Sequence, residues 1–160
     1  MMSATTSEPV FGSYIQAARE ACQEIERVNL HDTQPLLTTL IQLLREANSL
    51  AQCSIEADDY DLGGDEALPE ALNRIPDDLV FNVVFDPLDP GSVCATSLKD
   101  ALGDIYKSLK LGLRISDIEP QKKLAIFWEW RHAYEFHWGR HLLDVIRFLF
   151  LCKETVSKRG

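Results

Sequence analysis

The chain has 160 residues, enough for one domain with a hydrophobic core and too few for two independently stable domains. Its 46% apolar and 26% charged residues are average for globular proteins and exclude a disordered, collagen-like or coiled-coil chain. No uncharged stretch approaches the ~20 apolar residues of a membrane span, and residues 1–12 lack the features of a secretory signal. We therefore expect one cytoplasmic domain over residues 1–160, with residues 1–7 flexible and residues 154–160 frayed.

The net charge of -9 is distributed unevenly along the chain. Residues 56–89, the acidic stretch, hold eleven acidic residues and a single basic residue, Arg74, whereas residues 121–160 hold eight basic and four acidic residues. Because a net acidic domain repels phosphate backbones, nucleic acid is not an expected partner. The acidic stretch has two interpretations: a solvated connection that maintains solubility, or a docking surface for a basic partner.

Apolar residues recur with helical spacing in the first third of the chain. The pattern predicts one helix near residues 8–28 and a second near residues 33–53, with Pro35 tolerated in the first turn of the second. The link between them is short. The two helices are therefore expected to form an antiparallel hairpin.

Two further helices are predicted in the second half of the chain. Ser97 opens a sequence with the form of a capping box, so a third helix is expected near residues 97–114. Pro120 opens the last segment, in which no breaker stronger than Gly139 occurs for about 30 residues. The prediction is a continuous helix near residues 120–153.

Residues 54–96 lack helical periodicity and contain frequent glycines and prolines. Within them, Leu79–Phe85 is rich in β-forming residues, but Pro76 followed by two aspartates also resembles a helix start. Because a lone strand has no partner, an extended segment or one to two helical turns against the bundle is favoured. The predicted fold is all-α: an antiparallel bundle of about four main helices, with a long irregular acidic connection between the second and third.

Two opposite charges fall within the apolar face of the last predicted helix. At 100° per residue, Arg131 and Glu135 lie among the following apolar side chains: Leu124, Phe127, Trp128, Tyr134, Trp138, Leu142, Val145, Leu149 and Cys152. We expect both charges to be buried and paired, because an unpaired buried ion costs several kcal/mol. The pair is either an internal salt bridge that aligns helices or a pocket in which Arg131 binds an anion and Glu135 orients it.

A second stripe of the same helix is partly polar and contains Trp130, His137, His141, Asp144 and Phe148. His137 and His141 are one turn apart, a geometry in which two imidazoles can bind one metal ion, and Asp144 lies one turn further on. Asp100 and Asp104 of the third helix are candidates for further ligands, but solvated charges are the favoured interpretation, because both project opposite the leucine stripe of that helix. The sequence therefore offers two candidate metal ligands but no complete metal site.

The same region contains a short run that is similar to a ribonuclease motif. Arg131, His132 and His137 give Arg-His-x-x-x-x-His, similar to the Arg-x-(four to six)-His motif of the helical HEPN ribonucleases. In that family the motif usually begins a helix, so that both side chains converge. Here it lies inside a helical pattern, with Arg131 and His137 about 120° apart. A ribonuclease is therefore retained as an alternative only.

Several segments of the second half share a pattern with a known family. They are Asp104–Lys110, the Trp-x-Trp-Arg of Trp128–Arg131, the His-Trp-Gly-x-His of His137–His141, and the turn Phe85–Pro87. Together they resemble an uncharacterised family of small bacterial helical proteins, known only as a domain of unknown function. The resemblance implies a bacterial, mainly helical, single-domain protein, and it implies no activity, cofactor or catalytic residue.

The sequence contains no strong catalytic or nucleotide-binding motif, and its four cysteines lack the C-x-x-C spacing of zinc or redox sites. We predict a non-enzymatic protein-interaction or adaptor module with an acidic surface, another protein as its partner, and no cofactor. The alternative is a metal-binding protein or HEPN-like ribonuclease; the oligomeric state stays open. The candidate binding residues are Arg131, Glu135, His137, His141, Trp130 and Asp144, and no catalytic residue is assigned.

Overall fold

A computed structural model describes residues 4–57 and 62–159, with side chains from residue 8 onward in the first helix. The helical segments are α1 (Ala4–Glu26), α2 (Gln34–Ala51), α3 (Leu98–Ile118), α4 (Lys123–Ala133) and α5 (Gly139–Arg159). Short 3-10 turns occupy Glu70–Arg74 and Pro120–Lys122, and strands β1 (Val80–Val84) and β2 (Val93–Ser97) form a hairpin. The expectation of a mostly helical protein is confirmed, and the small sheet is an addition to it.

Ion pairs and hydrogen bonds give the relative directions of the helices. Arg19 near the middle of α1 pairs with Asp117 at the end of α3, whereas Glu26 at the end of α1 pairs with Lys110. Hence α1 and α3 are antiparallel. His31, just before α2, lies 3.1 Å from the carbonyl of Ser157 near the end of α5 (Nδ1 to O), whereas Cys53, just after α2, accepts a hydrogen bond from Arg131, which precedes α5. Hence α2 is antiparallel to α5.

The connection between α2 and α3 travels the length of the bundle. Because α2 and α3 both run antiparallel to α1, the chain must return from one end of the bundle to the other before α3 begins. It does so along α3, through three ion pairs: Glu66 to Arg114, Asp65 to Lys107 and Asp77 to Lys99. Part of the acidic stretch is thus neutralised within the chain; its residues Asp58, Asp59 and Asp61 lie outside the described residues.

The β-hairpin corrects the prediction of a lone extended or helical segment at residues 79–85. β1 pairs antiparallel with β2, with Val80 opposite Ser97 and Val84 opposite Val93. The partner strand was missed because Cys94-Ala95-Thr96 is short and exposed and has no alternating apolar pattern. Phe81 stacks on Phe148 of α5 at 4.4 Å between ring centroids, which fixes the hairpin to the helical core.

The last helical region is not the continuous α-helix predicted over residues 120–153. A π-helical turn, Tyr134–Trp138, separates α4 from α5, and a non-helical residue, Cys152, bends α5. The amide of Gly139 donates to the carbonyl of Tyr134 five residues earlier, and a Cβ at Gly139 would lie 2.3 Å from that oxygen. Glycine at this position therefore makes the wide turn possible.

The core is formed by one face of each helix and by apolar side chains of the connection. Burial raises the pKa of the Cys22 thiol to about 12, as expected of a cysteine that serves as a small apolar residue. Within the described ranges, no helix has both the length and the apolar character to cross a membrane.

Candidate functional site

Three metal-ligating side chains from two helices meet at the junction of α3 with α5. Asp104, His137 and His141 each direct one ligand atom to within 4.8 Å of the other two. The Oδ2 atom of Asp104 lies 3.3 Å from Nε2 of His141 and 3.9 Å from Nε2 of His137. Asp104 and His141 are partly buried, whereas His137 is exposed. The cluster is therefore accessible to solvent through His137.

The local structure explains why these side chains converge. The region from α4 to α5 passes along α3 in the opposite direction, with Trp130 bonded to Ser108 and, further on, His141 opposite Asp104 in the second turn of α3. His137 belongs to the π turn and His141 to the first turn of α5, and their rings lie 5.4 Å apart, edge to face. π turns inside helices are frequently found at functional sites. Sequence spacing identified the histidine pair, and Asp104, expected either to be solvated or to supply a further ligand, lies beside that pair with its side chain 42% exposed.

The neighbourhood of His141 determines which of its ring atoms is available. Its Nδ1 atom is buried and has no hydrogen-bond partner among the described residues, whereas Nε2 faces Asp104. Asp144, one turn further along α5, is half-buried and is not part of the cluster. Burial raises the pKa of Asp144, while the nearby His141, Arg140 and Arg147 act in the opposite direction. Asp144 therefore borders the site without offering it a ligand.

Trp130, predicted to share a stripe with the histidines, belongs to the core instead. Its ring is 1% exposed and lies 5.0 Å from that of Tyr14, and its Nε1 donates to the carbonyl of Ser108 at 3.0 Å. A Cβ on Gly112 would come within 2.4 Å of the indole. Trp130 therefore positions α4 against α3 and takes no part in the cluster.

Arg131 and Glu135, predicted to be buried, are not. Their side chains are 32% and 40% exposed, and Nε of Arg131 lies 3.6 Å from Oε1 of Glu135. Nη1 of Arg131 also donates to the carbonyl of Cys53 at 2.6 Å, which ties α4 to the end of α2. The prediction assumed a uniform 100° per residue, whereas the π turn adds a residue and shifts the face of α4 that packs inward.

The HEPN-like residues do not share a contact. Arg131 reaches the end of α2, whereas His137 faces Asp104 on α3. His132, the remaining residue of the run, stacks on Trp128 with 5.1 Å between ring centroids. The ribonuclease alternative therefore gains no support from the geometry.

Beside the cluster, a groove of about 480 Å³ follows α3 towards its C-terminal end. Lys107 of α3 lines the groove together with Glu129 and Trp130 of α4. Gly63 and Gly64, in the connection between α2 and α3, also line the groove. Their positive φ angles of 60° and 93° are readily adopted only by glycine. Lys107 is about one helical turn from Asp104 along α3, but Asp104, His137 and His141 are not among the residues that line the groove.

The hairpin exposes a separate apolar surface, the hairpin patch, formed by Val84, Phe85, Leu88 and Val93. Leu88 in the turn is 93% exposed, and the guanidinium of Arg140 lies 4.0 Å from the ring centroid of Phe85. No site was predicted at this surface from the sequence. The available signal was the pair of large apolar residues Phe85 and Leu88, which flank Asp86-Pro87 in a turn segment rich in Asp, Pro and Gly.

Comparison with known proteins identifies a family but no characterised relative. No match is found among curated proteins or among solved structures. A family model with the description "Domain of unknown function (DUF5063)" matches residues 9–154, which include both helices of the cluster, the groove and the hairpin patch. The chain therefore belongs to this DUF5063 family.

Proposed function

We propose that this domain binds a divalent transition-metal ion through Asp104, His137 and His141. The observation that carries the proposal is the approach of three ligand atoms to within 4.8 Å of one another. Ligand bonds of about 2.0–2.1 Å at tetrahedral angles place neighbouring ligand atoms about 3.3 Å apart. The two distances from Asp104, 3.3 and 3.9 Å, are close to this value. Rotation of the exposed His137 side chain supplies the remaining adjustment.

The ligand set favours a particular class of metal. Two imidazoles and one carboxylate suit Zn²⁺, Fe²⁺, Co²⁺ and Ni²⁺, whereas Ca²⁺ and Mg²⁺ prefer oxygen ligands throughout. Three protein ligands leave a coordination position open to water or to a further ligand, as in catalytic zinc sites, whereas structural zinc sites are usually closed by four protein ligands. The proposed site is thus of the ligand-exchanging type.

Metal binding would also stabilise the fold. Asp104 and the two histidines are more than 30 residues apart in the sequence, and only the folded chain brings α3 against α5. A ligand that binds the folded state and not the unfolded chain raises the free energy of unfolding.

The experiment measures Zn²⁺ and Co²⁺ binding to the untagged protein by calorimetry and by the visible absorption of Co²⁺. We expect one ion per chain and an affinity loss of about tenfold or more in Asp104→Asn and in His141→Gln. The matched controls are Asp100→Asn, one turn earlier on α3, and His132→Gln on α4; both residues are exposed and outside the cluster. Equal affinity in His141→Gln and His132→Gln, or no stoichiometric binding, would refute the proposal.

A second candidate function, the protein-interaction or adaptor module of the sequence analysis, is favoured by the hairpin patch. Exposed contiguous apolar surface is typical of protein contacts. This candidate function assigns the contact to the apolar side chains of the hairpin patch rather than to the carboxylates of the acidic stretch, of which Asp65, Glu66 and Asp77 are paired within the chain. A protein partner that binds the wild type and Glu70→Lys but not Leu88→Ser would support contact through the hairpin. Loss of binding with Glu70→Lys alone would instead support contact through the acidic stretch.

A further inference from the structure

His141 presents one ring nitrogen to the cluster and the other to the protein interior. Its Nε2 atom lies 3.3 Å from Oδ2 of Asp104, whereas its Nδ1 atom is buried and has no hydrogen-bond partner among the described residues. A buried polar atom without a partner costs free energy. If Nε2 binds a metal ion, the neutral imidazole must carry its one proton on Nδ1. Metal binding therefore requires a hydrogen-bond acceptor on the buried side of the ring.

Asp144 is placed to supply that acceptor. His141 and Asp144 are three residues apart in α5 and follow the π turn, so their Cβ atoms are about 5–6 Å apart on the same face of the helix. Side chains of a helix lean towards its N-terminus, so the Asp144 side chain covers the turn that contains His141. A carboxylate oxygen and a ring nitrogen can meet across this distance.

The Asp144 carboxylate is also available for this role. It is partly buried and forms no hydrogen bond or ion pair with any residue in the described ranges. Burial raises the pKa of its carboxyl group, and among the nearby charges that of His141 opposes this shift most, ahead of Arg140 and Arg147. The Arg140 guanidinium lies instead over the ring of Phe85, 4.0 Å from its centroid. A partly desolvated carboxylate and a buried ring nitrogen therefore lie within reach of each other, and each can satisfy the other.

We infer that Asp144 is a positioning residue of the proposed metal site: its carboxylate accepts a hydrogen bond from Nδ1–H of His141 and thereby directs the Nε2 lone pair towards the ion. The inference rests on the proposed function and extends it from the ligands to the residue that orients one of them. Histidines that bind metals usually donate their other ring N–H to such an acceptor, which fixes the ring and raises the basicity of the ligating nitrogen.

The first test measures the Zn²⁺ affinity of the full-length, untagged chain by calorimetry. We expect a loss of about tenfold in Asp144→Asn, because the amide is a weaker acceptor than the carboxylate. The matched control is Asp100→Asn, which removes the same charge from an exposed position one turn from Asp104. Since solvent screens that charge, this variant should lose less than about threefold.

A double-mutant cycle separates an orienting hydrogen bond from a general effect of charge. In the His141→Gln background the imidazole is absent, so Asp144→Asn should cause no further loss of Zn²⁺ affinity. A general charge effect would remain in that background, because it does not depend on the imidazole. A further readout is the proton NMR signal of Nδ1–H of His141 in the Zn²⁺-loaded wild type, which we expect to be downfield and protected from solvent exchange.

The outcomes separate this inference from the proposed function. If Zn²⁺ binds with the same affinity in Asp144→Asn and Asp100→Asn, the positioning role is wrong and the metal site stands. An undiminished effect of Asp144→Asn in the His141→Gln background leads to the same conclusion. So does the absence of a protected Nδ1–H signal from the Zn²⁺-loaded wild type, a measurement that does not depend on the folding of any variant. If Zn²⁺ does not bind to the wild type, both proposals fail.

Discussion

α3 and the region from α4 to α5 both line the candidate site, but only α3 keeps one helical period throughout. Its predicted apolar stripe is buried along its whole length, at Leu98, Leu102, Ile105, Leu109 and Leu113. In the other region, the buried face passes through Phe127 and Trp130 before the π turn and through Trp138 and Leu142 after it. One extra residue in a turn therefore decides which side chains pack inward. Hydrophobic periodicity alone does not reveal such a turn.

The sharpest test of this difference compares two tryptophans of α4. Trp130→Ala should lower the free energy of unfolding by about 3–5 kcal/mol, because a fully buried indole and its hydrogen bond to Ser108 are lost. Trp128→Ala should cost only about 1 kcal/mol, since this side chain is partly exposed and stacks on His132. Urea unfolding measures both. A larger loss of unfolding free energy in Trp128→Ala than in Trp130→Ala would contradict the π turn and support the uniform helix that the sequence predicts.

A smaller effect is expected from filling the π turn itself. Gly139→Ala should cost about 1–3 kcal/mol, because the new methyl group meets the carbonyl of Tyr134. The matched control is Gly12→Ala in α1, where no atom lies within 4 Å of the added methyl group; there we expect a gain of about 0.5–1 kcal/mol. Thermal unfolding of the two variants should therefore shift in opposite directions. A gain in both would show that the π turn does not require glycine.

The smallest effect concerns the charged pair that the sequence places in the core. A buried Arg131–Glu135 pair would make Glu135→Ala cost about 3–5 kcal/mol. Because both side chains are partly exposed and Arg131 keeps its bond to the Cys53 carbonyl, we expect a loss below about 1 kcal/mol. Urea unfolding of this variant checks the expectation. A loss above 3 kcal/mol would mean that α4 packs with the face predicted from uniform periodicity.

Much of the fold was predictable from local signals. Ser97 caps α3 as its sequence predicts, accepting a hydrogen bond from the amide of Asp100 at 3.0 Å. The apolar stripe of α1 and that of α2 likewise correspond to helices. The hairpin was not predictable in the same way. β1 has a strong β-forming sequence, but its partner β2 is defined by long-range hydrogen bonds rather than by its own composition.

The candidate site was predictable only in part. Helical spacing identified His137 and His141, because residues four apart share a face of a helix. Asp104 was expected to be solvated because it projects opposite the leucine stripe of α3. That position does not reveal whether a second helix packs on the same side. Trp130 was grouped with the histidines because the extra residue of the π turn was not counted. Both errors arose because the packing of one helix against another is not written in the local sequence. The π turn is different, because Gly139 is a local signal of it.

The parallel direction of α2 and α3 constrains the order in which the chain can assemble. Asp65, Glu66 and Asp77 find their cationic partners on α3, which follows them in the sequence. During synthesis these acids remain hydrated until Lys99, Lys107 and Arg114 have been added. The α1–α2 hairpin, built from local contacts, can form first, whereas the connection docks only after the non-local contacts of α3 exist. A charged connection remains soluble during this interval, in which an apolar one would expose an aggregation-prone surface.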